Sequence, residues 1–133
     1  MSTFTRFEEI DCWGKARQLT KQVYEISGNA PFVNDFALRD QIRRAGVSVM
    51  SNIAEEFDRS GTREFIQFLA TAKGSASEVR CQLYVALDQP YITQAKFAEL
   101  NLLAVETGRM IGGLIRYLKT SGLKGDKYKS VER

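Results

Sequence analysis

Histidine is absent from this sequence. A carboxylate-bridged metal site in a helical bundle needs Glu-x-x-His pairs on two helices, so none can be assembled here. Histidine acid–base and triad chemistry are excluded with it. Only two cysteines occur, Cys12 and Cys81, without CxxC spacing. Both fall in helical patterns, which favours free thiols in a reducing compartment over a bridge. No apolar run approaches the roughly 20 residues that a membrane span needs. The opening MSTFTRFEEIDCW lacks the apolar stretch of a secretory signal, and the expectation is a cytoplasmic protein. No Gly-rich loop joins a strand to a helix, so phosphate-cradle motifs are missing as well. Glu55, Glu56, Glu64 and Glu78 are acids in principle, but with this many Arg and Lys residues they are expected in ion pairs. The sequence predicts no enzyme, no cofactor and no metal site.

What is present is one domain's worth of helix. The 133 residues are 44% hydrophobic and 26% charged, enough for a single core without cross-links. Two prolines and a few Gly/Asn/Ser clusters divide the chain into four long segments. In the first, about Glu8 to Ser27, Cys12, Trp13, Ala16, Leu19, Val23 and Ile26 share one side. Gly28-Asn29 stops it and Pro31 blocks a restart. The second begins after Asn34-Asp35, either of which can cap a first turn, and runs to about Asp58.

The third segment spans Thr62 or Arg63 to Asp88 and ends at Gln89-Pro90. Its seam is Phe65, Phe68, Leu69, Ala72, Ala76, Val79, Leu83, Ala86 and Leu87. The fourth starts from a Thr93 cap and repeats Phe97, Leu100, Ala104, Thr107, Ile111, Leu114 and Leu118 in steps of three and four. These segments predict an all-α, antiparallel up-down-up-down four-helix bundle over residues 1–122, about 30 to 40 Å long. LKGDKYKSVER, residues 123–133, reads as a flexible basic tail.

The second helix carries more apolar surface than one core requires. Leu38, Ile42, Ala45, Val49 and Ile53 form one stripe; Phe36, Val47, Met50, Ala54 and Phe57 form another, with Arg43 inside it. A deeper seat explains part of this, and an oligomer interface at Val47, Met50, Ala54 and Phe57 explains the rest. The third face holds Arg44, Ser48, Asn52, Glu55 and Arg59. Ser48 and Asn52 are poor helix formers, and with Glu78 they suggest a polar network between helices. Gly46 and Gly74, one on each middle helix, are expected to permit close approach.

The net charge of +3 and pI of about 8.9 leave room for a polyanionic partner without demanding one. Lys73, Ser77, Arg80 and Tyr84 share a side of the third helix, and Arg109 and Arg116 lie two turns apart on the fourth. Tyr117, Lys119, Lys124, Lys127, Lys129 and Arg133 continue the basic character. Lys and Arg with a few aromatics grip phosphates and stack on unpaired bases. A charge run is also, commonly, just a solvated face. Symmetric assembly turns a weak patch into a strong field.

These residues resemble a known family. DQIRRAGVSVMSNIAEEFDR and EFIQFLATAKGSASEV are similar to the small bacterial four-helix-bundle proteins encoded in intervening sequences of large-subunit ribosomal RNA genes, called ribosomal-protein-like. The matching residues are Trp13, Lys15 and Ala16, then Arg44, Ala45, Ser48, Asn52, Ile53, Ala54 and Glu55, then Phe68, Leu69, Ala72, Gly74 and Ser75, with Glu78 following. The likeness covers about residues 7 to 118. The chain departs where the family has proline at Met50, glycine at Glu56 and an acid at Arg80. The resemblance implies a pentameric ring of bundles. It extends in fold to the accessory variability determinants of diversity-generating retroelements, which implies a reverse transcriptase and its template RNA as partners. The expected function is binding of RNA, or of an RNA–protein complex, by an oligomer; the alternative is a protein–protein scaffold without nucleic acid.

Overall fold

The computed structural model describes residues 5–55 and 61–121. Its helices are α1 (Asp11–Ser27), α2 (Phe36–Glu55), α3 (Thr62–Asp88) and α4 (Gln94–Thr120), with short 3-10 turns at Phe7–Glu9 and Phe32–Asn34. Each helix packs on its neighbours in the chain, and α1 also meets α4, which closes the up-down-up-down bundle. Among the described residues there is no strand.

The start of α2 is set by Asp35 and not by Asn34. Asp35 Oδ1 accepts from the Leu38 N–H at 3.1 Å, satisfying a first-turn donor. Its Oδ2 accepts from the Tyr91 hydroxyl at 2.9 Å, which ties that end of α2 to the α3–α4 connection. Thr93 caps α4 as the sequence predicts, its Oγ1 accepting from Lys96 N–H at 3.1 Å. The first helix begins later than Glu8, because Phe7–Glu9 winds as a 3-10 turn that ends at buried Ile10.

Antiparallel packing divides the core into two halves. One joins Leu19 and Val23 of α1, Ile42 of α2, Leu83 of α3 and Leu100 of α4, closed from below by fully buried Phe32. The Phe32 ring stacks on Tyr91 at 5.1 Å. The connector between α1 and α2 is therefore part of the core, which its Pro and Asn conceal in the sequence. The other half joins Ile10, Ala16, Val49, Ile53, Phe65, Leu69, Ala72 and Ile111.

Small and hydroxylated residues occupy α1 and α2 where they come closest. Thr20 Oγ1 lies 2.9 Å from both the Ala16 and Gly46 carbonyl oxygens, across which its single proton is shared. A Cβ on Gly46 would stand 3.2 Å from that hydroxyl, closer than ordinary contact, so a larger residue there would press on Thr20. Gly74 is different. A Cβ there meets nothing within 4 Å, and the expected close approach at this residue does not occur. Its face of α3 is simply open to solvent.

Candidate nucleic-acid interface

The outer groove between α3 and α4 gathers four of the predicted basic residues, Lys73, Arg80, Arg109 and Arg116. Lys73, Ser77 and Arg80 are spaced four and three apart on α3, and Val105, Arg109 and Arg116 are spaced four and seven apart on α4. Such spacing puts each set on one ridge of its helix. The ridges face each other across a hollow of about 340 Å³, floored by Ala76, Ala104, Gly108 and Gly112. Small floor residues leave room that the long cationic side chains enclose.

Two contacts define the cations' positions. Arg80 Nε donates to Asn101 Oδ1 at 3.0 Å, which reaches from α3 to α4. Lys73 leans over Gly112: a Cβ added there would lie 3.4 Å from Lys73 Cε and 3.8 Å from Arg116 Nη1. Lys73 and Arg116 thus converge above a residue with no side chain. No acidic residue lines the hollow. Among the described residues, none of Lys73, Arg80, Arg109 and Arg116 forms an ion pair. Four like charges around one concavity repel each other, and an anion placed between them removes that cost. The sequence reading missed Gly108 and Gly112. Their one-turn spacing beside Arg109 and Arg116 is the signal that finds them.

Other expected contacts are placed differently. Tyr84 does not line the groove; its ring packs on Phe97 with centroids 4.7 Å apart, one turn beyond Arg80 and directed at the start of α4. Lys119 is exposed in the last turn of α4, outside the groove, where it complements the helix dipole. Lys124, Lys127, Lys129 and Arg133 lie outside the described residues.

The second apolar stripe of α2 is split. Phe36 and Val47 are 63% and 43% exposed, whereas Met50 packs onto the protein's own core and Ala54 is half-buried. Phe57, Glu56 and Arg59 lie outside the described residues. Arg43 finds its partners at the end of α1. Its Nε donates to Ser27 Oγ at 2.8 Å and its guanidinium sits 4.5 Å from the Tyr24 ring centroid. That position also faces the negative end of the α1 dipole.

The polar network is present between α2 and α3. Ser48 Oγ and Ser75 Oγ are 2.8 Å apart, and Asn52 Nδ2 donates to the Ser48 carbonyl and hydroxyl at 2.9 and 3.0 Å. Arg44 and Glu78 join it only as walls of a second hollow, of about 300 Å³, with Gln41, Ala45 and Ser48. Glu55 is exposed at the described end of α2. Beside this hollow Gln82 Nε2 donates weakly to Glu78 Oε2 at 3.5 Å, and its buried Oε1 has no partner.

Among the described residues no group of three or more His, Cys, Asp or Glu side chains could hold a metal, and no helix is long and apolar enough to cross a membrane. Cys12 and Cys81 are both free.

A crystal structure of a protein of unknown function from the S23 ribosomal protein family of Bacteroides thetaiotaomicron has the same fold. The two share 23% identity over 79% of this chain and 98% of that one, with a TM-score of 0.72. No curated protein matches the sequence. Residues 8–113 match the family described as 23S rRNA-intervening sequence protein. That span is most of the bundle, and the chain belongs to this family.

Proposed function

We propose that this protein is a non-catalytic bundle that binds RNA through the α3/α4 groove. The observation that carries the reading is the groove itself: Lys73, Arg80, Arg109 and Arg116 around a hollow without an acidic residue. Closely spaced phosphates are the biological anion that such an array fits, and guanidinium groups bind them in pairs of hydrogen bonds. The family's description, which names the intervening sequence of 23S rRNA, makes RNA the natural source of those phosphates. Self-association belongs to the same reading. Exposed Phe36 and Val47 give α2 an apolar surface, and a pentamer, which the sequence resemblance implies, would repeat the groove around a ring. Within it, ribosomal RNA and a reverse transcriptase with its template RNA are both partners that present the required phosphate chain.

Anisotropy of a labelled structured RNA tests the proposal. Binding should weaken at least tenfold in the R109E/R116E variant, whose substitutions are on the groove wall. Equal affinity of the variant would overturn the groove assignment and leave the scaffold reading. Light scattering tests assembly: a mass of one 15.0 kDa chain at micromolar concentration contradicts it.

A further inference from the structure

A second cationic surface lies on α1, away from the groove. We propose that it binds a single-stranded segment of RNA, with phosphates on Arg17 and Lys21 and a base against Trp13. The inference rests on the reading of the protein as an RNA binder and adds a site and a substrate class to it.

Trp13, Arg17 and Lys21 follow at intervals of four along α1 and line one hollow of about 560 Å³, which Arg6 borders. Four residues rise about 6 Å along a helix. Arg17 and Lys21 are thus set to meet successive phosphates of an extended strand. The hollow's one acid, Glu8, faces Arg6 at 3.6 Å and leaves Arg17 and Lys21 uncompensated. Among the described residues neither of these two forms an ion pair.

The aromatic part is held ready. Trp13 is half-buried against the core and meets the Phe7 ring edge-on at 5.1 Å, so little side-chain freedom is left to lose on binding. Beside it stands Gly14, where an added Cβ meets nothing within 4 Å. Space is therefore open next to the indole. An unpaired base can use such a surface, whereas a base inside a duplex cannot reach it. Cations flanking an aromatic are the combination that single-strand binders employ.

The placement separates this surface from the groove. The α1 helix packs against α2 and α4, while the groove opens between α3 and α4. Both reach the half of the bundle built on Ile10, Ala16, Ala72 and Ile111, the α1 surface through Trp13 and the groove through Ala76. A structured RNA held in the groove can extend an unpaired strand around the same end.

Trp13 is the sole tryptophan, so its fluorescence reports on this surface alone. The full-length protein is titrated with an unstructured twelve-nucleotide RNA, a duplex RNA of equal length and inorganic polyphosphate. The proposal predicts that the single strand quenches the emission and the other two do not. It predicts that R17E/K21E weakens the single-strand titration about tenfold while the circular dichroism spectrum is unchanged. Equal quenching by polyphosphate, or an undiminished response in R17E/K21E, overturns it. Binding of structured RNA, together with no change in Trp13 emission on adding the single strand, overturns the α1 site and leaves the groove standing. Single-strand quenching that survives with normal affinity in R109E/R116E supports the α1 site, and structured-RNA affinity that survives there removes the groove.

Discussion

Arg80 on α3 and Asn101 on α4 are joined by a 3.0 Å hydrogen bond that leaves the rest of the guanidinium free to face the groove. Asn101 is thus a positioning residue. Replacing it with alanine should let Arg80 move and weaken RNA binding about threefold, with little change in stability because the pair is at the surface. Asn101→Asp should weaken binding further, since a carboxylate there would neutralise Arg80. Anisotropy of the two variants in parallel checks the order.

Filling the floor makes a second test. Gly112→Leu would occupy the space beneath Lys73 and Arg116, whose atoms stand 3.4 and 3.8 Å from the position of a Cβ. The cations are retained, yet phosphate access is lost. Binding should fall about tenfold while the melting temperature rises or stays level, because leucine is the better helix former.

Two glycines of the middle helices should respond with opposite sign. Gly46→Val forces a branched side chain onto Thr20 and should cost about 1–3 kcal/mol. Gly74→Ala meets open space and should gain about 0.5–1 kcal/mol from lower backbone entropy. Urea unfolding of both variants gives the comparison. Both sit in the middle of a long helix, and the neighbouring helix decides the sign.

The same distinction marks how far the sequence could be read. Helix periodicity placed the start of α2 and both ends of α3 and α4 to within a residue or so, because the buried stripe and the caps Asp35 and Thr93 are local signals; the expected end of α2 at Asp58 lies outside the described residues. It placed Lys73 and Arg80 on one side of α3, and Arg109 and Arg116 two turns apart on α4, and all four line the groove. It misplaced Tyr84, whose ring follows its contact with Phe97, a residue from another helix. Phe32 was concealed because a short turn has no period from which burial can be read. The α1 surface needs the contact of Trp13 with Phe7 and the open side of Gly14, and neither follows from spacing.

The thiols should differ sharply in reactivity. Burial pushes the Cys12 thiol up to about 12, whereas Cys81 is exposed. A disulfide reagent at pH 8 should label one thiol at once and the second only on unfolding. The raised value has a stability consequence. The unfolded thiol ionises from about 9.0, and the folded one retains its proton up to about 12. Its contribution is complete below pH 9 and is lost as pH rises toward 12, so Cys12→Ala should flatten the alkaline fall in stability.

Asp35 links two separate ends of the fold. Its hydrogen bond to Tyr91 holds that phenol above the usual value of 10.0, so the folded protein keeps this proton where a free tyrosine loses it. Absorbance titration should show one late tyrosine that Asp35→Asn brings forward. Asp35→Ala also removes the α2 cap and should cost about 1 kcal/mol in thermal unfolding.

The central claim is that the α3/α4 groove holds RNA by its phosphates, and the salt dependence of binding tests it most directly. With four cations engaged, the affinity of a structured RNA should fall with a log–log slope of roughly −3 to −4. The slope should shrink by about 2 when Arg109 and Arg116 are both replaced by alanine. A slope near zero, or one that the double substitution leaves unchanged, contradicts the account.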